Sequence, residues 1–238
     1  MAVVVLAACA AIVVRTIPSS PSPAPPAVAH SASLAADGRS HATLEVTAGT
    51  LVLTIGVANL GASGTLLRVT TPAGSSAPRL RVADGNGTAG PGGNAVVYLS
   101  ATRAAAITVT LNAAVSWQLN LASGTRQTTA DLRGGLLAGI AITKGSYVID
   151  LTLPRPHGSV PVRLAAGANQ LRLSLPSGVP VRVTAAAGAG EISLDGKKHT
   201  AVRDGSVFKT PTWAPGAAGF DIDAIAGAAR VTVTTQAG

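Results

Sequence analysis

Seven basic side chains have the types and spacing to do chemistry. Arg163, Arg172 and Arg182 sit on stretches that alternate apolar and polar residues, and Lys197, Lys198, Arg203 and Lys209 crowd the segment that follows. Guanidinium and ammonium groups gathered this way bind anions: phospholipid headgroups, wall polymers or nucleic acid. Nucleic acid fits least, because stacking on bases needs aromatic side chains and only 3% of the chain is aromatic. The expected contact is therefore an anionic cell-wall polymer or lipid headgroup, met by a cationic strip.

The acidic and nucleophilic candidates are weaker. Asp221 and Asp223 alternate in FDIDA and point to one strand face, where a carboxylate pair holds calcium or does acid–base work. Phe220, Ile222 and Ala224 between them read as the core face, so the two aspartates read as its wet side. Asp131, Asp150 and Asp195 follow their glycines by seven, five and seven residues, so Asp131 and Asp195 share a face, but three rungs apart, about 14 Å at ~4.8 Å per rung, they are too distant for a carboxylate pair at ~5–9.5 Å. His30, His41, His157 and His199 show no metal-ligand spacing, and His157 and His199 fall in turn-like segments. No nucleophile elbow, Walker loop or dinucleotide fingerprint occurs, and the Gly-rich stretch from Gly90 to Asn94 reads as a surface loop. No cofactor and no metal are expected.

The elements that hold these residues come from a repeat. In VPVRLAAGANQLRLSLPSGVPVRV (residues 160–183), Val162 and Leu164 precede Gly167, and Leu171, Leu173 and Leu175 follow it, with polar residues between. This is the period-2 pattern of strands with one buried face. The same template fits Gly49, Gly74, Gly124, Gly145, Gly188 and Gly227, and position 103 fills the slot once. From 103 the slots fall at 124, 145, 167 and 188, intervals of 21, 21, 22 and 21. A fixed period of this size marks a solenoid of stacked rungs. The fold class expected is all-β, a Gly-punctuated β-solenoid of 21-residue rungs after a short N-terminal apolar helix. A β-sandwich in which each glycine turns a hairpin is the alternative. Each glycine serves a sharp corner, through positive φ or close approach of a neighbour. The two VPVR strings read as one rung following another, with a bulge near Thr184 to Ala187 absorbing the difference between their 19-residue spacing and the 21-residue period.

Composition frames the rest. Of 238 residues, 18 are Lys or Arg and 10 Asp or Glu, a net charge of +8, and Cys9 is the one cysteine, so no intrachain disulfide forms. Residues 1–17 open with an unbroken apolar run, read as a membrane anchor: part of a transmembrane helix, or a lipobox ending at Cys9. Residues 18–39 read as a Pro/Ser/Ala-rich linker. Residues 40–238 form the expected extracytoplasmic β domain, with an insertion at 196–219 whose Phe208 and Trp213 cap the open end.

The stretch from VSWQLNLASG through DLRGG, VPVRLAAGANQLRLSLPSGVPVRV, DGKKH, GSVF and TPTW to FDIDAIAGAARVTV resembles the C-terminal β-solenoid domain of actinobacterial membrane proteins. It is similar, more distantly, to the adhesin-type toast-rack domains of envelope-stress proteins such as LiaF-like accessories. The resemblance covers about residues 112–236. It implies a surface-facing β-solenoid and brings no catalytic residue. The function expected is a non-enzymatic, membrane-anchored cell-envelope module, adhesin-like or an envelope-stress accessory or scaffold. A carbohydrate-active enzyme on a β-helix is the alternative, and it requires carboxylates and basic groups to converge in a groove.

Overall fold

The computed structural model describes residues 29–61, 64–84, 94–102 and 104–236. The expected anchor 1–17, the first half of the expected linker, Gly90 to Gly93 of the expected loop, and slot 103 lie outside the described residues. Among the described residues there are nineteen strands and no helix, and so no helix long and apolar enough to cross a membrane. In chain order the strands are β1 (His30–Ala35), β2 (His41–Val46), β3 (Thr50–Ala58), β4 (Thr65–Thr71), β5 (Arg79–Asp84), β6 (Ala95–Ser100), β7 (Ala106–Asn112), β8 (Ser116–Leu121), β9 (Thr125–Asp131) and β10 (Leu136–Ile142). There follow β11 (Ser146–Thr152), β12 (Ser159–Leu164), β13 (Ala168–Pro176), β14 (Val181–Ala185), β15 (Ala189–Leu194), β16 (Lys197–Val202), β17 (Ser206–Lys209), β18 (Gly219–Ala224) and β19 (Ala228–Gln236). Strand β1 occupies residues expected to be linker.

The strands form two mixed sheets, in the orders β1-β4-β7-β3-β9-β11-β13-β19-β15-β16 (sheet A) and β17-β14-β18-β12-β10-β8-β2-β6-β5 (sheet B). In each, seven inner strands are parallel. Antiparallel strands close the edges: β4 on β7 with β1 on β4, and β16 on β15, in sheet A; β5 on β6 and β17 on β14 in sheet B. The alternation in the sequence explains the layering. In β10 and β11, Ile140, Ile142, Ile149 and Leu151 are buried between the sheets, while Asp150 and Thr152 face outward. The same packing runs through one continuous apolar core, with Trp117 and Phe220 its largest buried side chains. Buried Trp117 keeps its indole N–H satisfied by donating to the Asn112 carbonyl at 3.0 Å.

The strands before and after Gly124, Gly145 and Gly167 lie in different sheets, so the hairpins of the sandwich alternative do not form there. Each pair puts one strand in each sheet, and such a two-strand unit is termed a rung. Neighbouring rungs are offset as the sequence repeats: Leu119 beside Ile140 and Ile140 beside Val162 in sheet B, Thr128 beside Ile149 and Ile149 beside Leu171 in sheet A. Gly188 and Gly227 turn their corners with positive φ, whereas Gly124 and Gly145 are needed for close approach. A Cβ on Gly124 would lie 3.2 Å from the Gly145 carbonyl oxygen, and one on Gly145 3.2 Å from that of Gly167.

The expected progression fails in three places. Gly74 is not a rung corner: β4 and β5 pair antiparallel with β7 and β6 outside the parallel strands. The rungs are also out of chain order at both ends, with β2/β3 between β6/β7 and β8/β9, and β18/β19 between β12/β13 and β14/β15. The two VPVR strings are therefore not stacked. Strand β18 separates them, and Val162, Ile222 and Val183 share one register position. Nor is there a bulge near Thr184: register between β14 and β18 is unbroken from Val181 to Ala185, and the strings simply sit two residues out of step. Segment 196–219 supplies β16 and β17, the outermost strands of both sheets at that end.

Candidate anion-binding end

The three arginines do not form one strip. Arg163 and Arg182 lie on β12 and β14 in sheet B, whereas Arg172 lies on β13 in sheet A, so they face opposite sides of the molecule. Two are held by carboxylates. Arg172 Nη1 donates to Asp150 Oδ1 on the neighbouring strand at 3.2 Å. Arg182 Nε donates to Asp221 Oδ1 at 2.7 Å and Nη2 to Oδ2, a fork-to-fork pair. The Arg182 guanidinium also lies 5.4 Å from the centroid of the Trp213 ring. The hydrogen bonds to Asp221, then its charge, raise the Arg182 pKa further above its ordinary value. Arg163 is exposed and stands opposite Asp223 in register.

The four cations of segment 196–219 are placed differently. Lys197 and Lys198 open β16, Arg203 lies in the turn after it, and Lys209 ends β17. All four are exposed, and among the described residues none makes an ion pair. Their strands diverge. Strand β16 continues sheet A beyond β15, and β17 continues sheet B beyond β14, so the two flank the open end of the core. Beside them lies a hollow of about 440 Å³ whose lining includes Asp195, Lys197, His199, Phe208 and Lys209.

Local sequence builds this end. Asp195 and Gly196, both with positive φ, make the two-residue turn from β15 to β16. The Asp195 carboxylate is engaged, accepting from the Thr235 amide at 2.9 Å and its hydroxyl at 3.0 Å. Phe208 packs half-buried against the core, and its ring lies 4.5 Å from that of His199. His199 is thus a strand residue, not a turn residue. Buried Thr210 secures the segment after β17, accepting from the Val181 amide at 2.9 Å.

Chemically, two ammonium groups without carboxylate partners flank a hollow with an imidazole and an apolar wall. The arrangement suits an anionic group carried on a less polar chain. It offers no converging carboxylates. Asp131 bonds Arg133, Asp150 bonds Arg172, and Asp221 bonds Arg182. Asp131 and Asp195 are separated by β11, β13 and β19. Among the described residues no three His, Cys, Asp or Glu side chains are grouped to hold a metal.

Fold and site define an all-β protein of two facing mixed sheets, with a cluster of four exposed cations on the segment that ends both sheets. No family model matches the chain, and no curated protein matches it in sequence. A solved structure does match: a proposed cell adhesion protein from Clostridium sporogenes, with a TM-score of 0.64 over 89% of this chain and 99% of that one. Identity is 14%, so the likeness is one of fold, and an adhesin-like fold is what it supports.

Proposed function

We propose that this chain is a non-enzymatic, adhesin-like module of the cell envelope, a short β-solenoid whose β16–β17 end binds an anionic wall polymer. The observation that carries the reading is the contrast between two sets of cations. Arg172 and Arg182 are neutralised by carboxylates, while Lys197, Lys198, Arg203 and Lys209 are exposed and make no ion pair among the described residues, with Lys197 and Lys209 lining a hollow. Charge left unpaired on edge strands keeps a sheet end from pairing with other strands. It also attracts a polyanion over a Debye length of about 8 Å at physiological salt. The solenoid reading rests on seven parallel strands per sheet and the 21- to 22-residue offset among the three central rungs, β8/β9, β10/β11 and β12/β13. Residues 1–17 serve as the membrane anchor in this proposal, with the β domain outside.

The test is co-sedimentation of the full chain with cell walls before and after chemical extraction of their anionic polymer, with anionic vesicles in parallel. Binding to intact walls that disappears on extraction is the expected result. Equal binding to extracted walls, or binding to vesicles alone, overturns the wall-polymer assignment.

A further inference from the structure

The rung β18/β19 lies between two rungs that fit one another. In sheet B, Val160, Phe220 and Val181 share one position, Val162, Ile222 and Val183 the next, and Leu164, Ala224 and Ala185 a third. In sheet A the same holds for Leu171, Val231 and Ile192, and for Leu173, Val233 and Leu194. The outer members of each trio are 21 residues apart, the offset at which β8 stacks on β10 and β9 on β11 without anything between them. So β12/β13 and β14/β15 are consecutive units of the repeat, and the C-terminal rung is a wedge set into their interface.

We infer that this rung is exchangeable, and that the slot between β12/β13 and β14/β15 accepts residues 219–236 of a second copy of this chain. Three features carry the inference. The slot walls match in register and apolar pattern, so an emptied slot closes as the repeat does elsewhere, and opening it does not leave the core in water. The wedge is joined to its neighbour by residues 195–218, a connection long enough to contain two strands of its own. The contacts that seat the wedge run to the slot walls and the turn beside them: the strand pairings, the ion pairs of Asp221 with Arg182 and Arg230 with Glu191, Asp223 opposite Arg163, and the hydrogen bonds of Thr234 to the Leu173 carbonyl and Thr235 to Asp195. A second copy reproduces each of them, which is the condition for exchanging an identical element between protomers. The matching wedge β2/β3 at the other end is joined on both sides to described strands and does not meet that condition. The inference does not depend on the anion-binding proposal.

Cysteine pairs in the full chain, with Cys9→Ser throughout, test it. Neighbouring strands lie about 4.8 Å apart, within the Cα separation a disulfide spans. Arg163→Cys with Asp223→Cys in one chain is expected to give an intrachain disulfide and a monomer, because the wedge sits beside β12. Mixing the Arg163→Cys chain with the Asp223→Cys chain, incubating at native pH and then oxidising, is expected to convert monomer to covalent mixed dimer, increasing with incubation time. The control mixture of Arg163→Cys with Thr108→Cys, an exposed site on sheet A, is expected to stay monomeric. A doubly substituted chain that fails to close its disulfide, single variants that stay monomeric after long incubation, or a control that dimerises equally would each overturn the inference.

Discussion

Asp221 on β18 and Arg182 on β14, 39 residues apart in sequence, are joined by a two-pronged hydrogen bond with Nε to Oδ1 at 2.7 Å. That pair fixes β18 against β14, its neighbour in sheet B. It also removes from solution an arginine whose sequence context suggests surface recognition.

Replacing Asp221 by Asn is expected to lower the melting temperature modestly, with the loss shrinking as salt rises, because the pair is half-exposed and screened. Arg182→Gln is expected to do the same. The double variant is expected to lose less than the sum of the two, since both remove one interaction. Thermal unfolding of the four proteins measures this.

Phe220 is fully buried on β18, within the wedge. Phe220→Ala is expected to cost about 3–5 kcal/mol, the usual range for emptying such a site. Phe208→Ala, at the half-buried end, is expected to cost less. Urea unfolding curves check both through a lower midpoint at unchanged slope.

The stacked corners predict a contrast between two glycines. Gly145→Ala puts a methyl group 3.2 Å from the Gly167 carbonyl oxygen, a backbone atom with little freedom to move. The expected loss is about 1–3 kcal/mol, as for other overpacked sites. Gly49→Ala meets nothing within 4 Å and is expected to stay within about 0.5 kcal/mol of the parent. Denaturant midpoints of the two variants decide it.

Acid should weaken one local pair. The Arg133 hydrogen bond holds the Asp131 pKa below the ordinary carboxylate value, outweighing the opposing effect of partial burial. A folded-state pKa below the unfolded one contributes stability that is present above about pH 4 and lost as pH falls through the folded value. The melting temperature of the parent is therefore expected to fall slightly more than that of Asp131→Asn between about pH 5 and pH 2. Matched melting curves test the difference.

Much of the architecture was legible because it is local. Val162, Leu164, Leu171 and Leu173 alternate with polar neighbours, and that alternation alone sets which face is buried. The 21-residue period reappears as the offset between Leu119 and Ile140. The position of β18 was not legible. Val160 and Val181 match each other as well as either matches Phe220, so nothing in the local pattern says that a third strand lies between them. The arginines were misread for the same reason. Their partners Asp150 and Asp221 are 22 and 39 residues away, and only the sheet order brings them together. Lys197, Lys198, Arg203 and Lys209 were legible as a group because they are neighbours in sequence.

Binding to cell walls across a salt series, measured for the full chain and two multiple variants, tests the central claim most directly. One variant changes Lys197, Lys198, Arg203 and Lys209 to Gln, and the other changes Arg163, Arg172 and Arg182 to Gln. The account predicts that the first loses most of its binding and its salt dependence, while the second keeps both. Undiminished binding by the first variant, or its loss only in the second, would contradict the account.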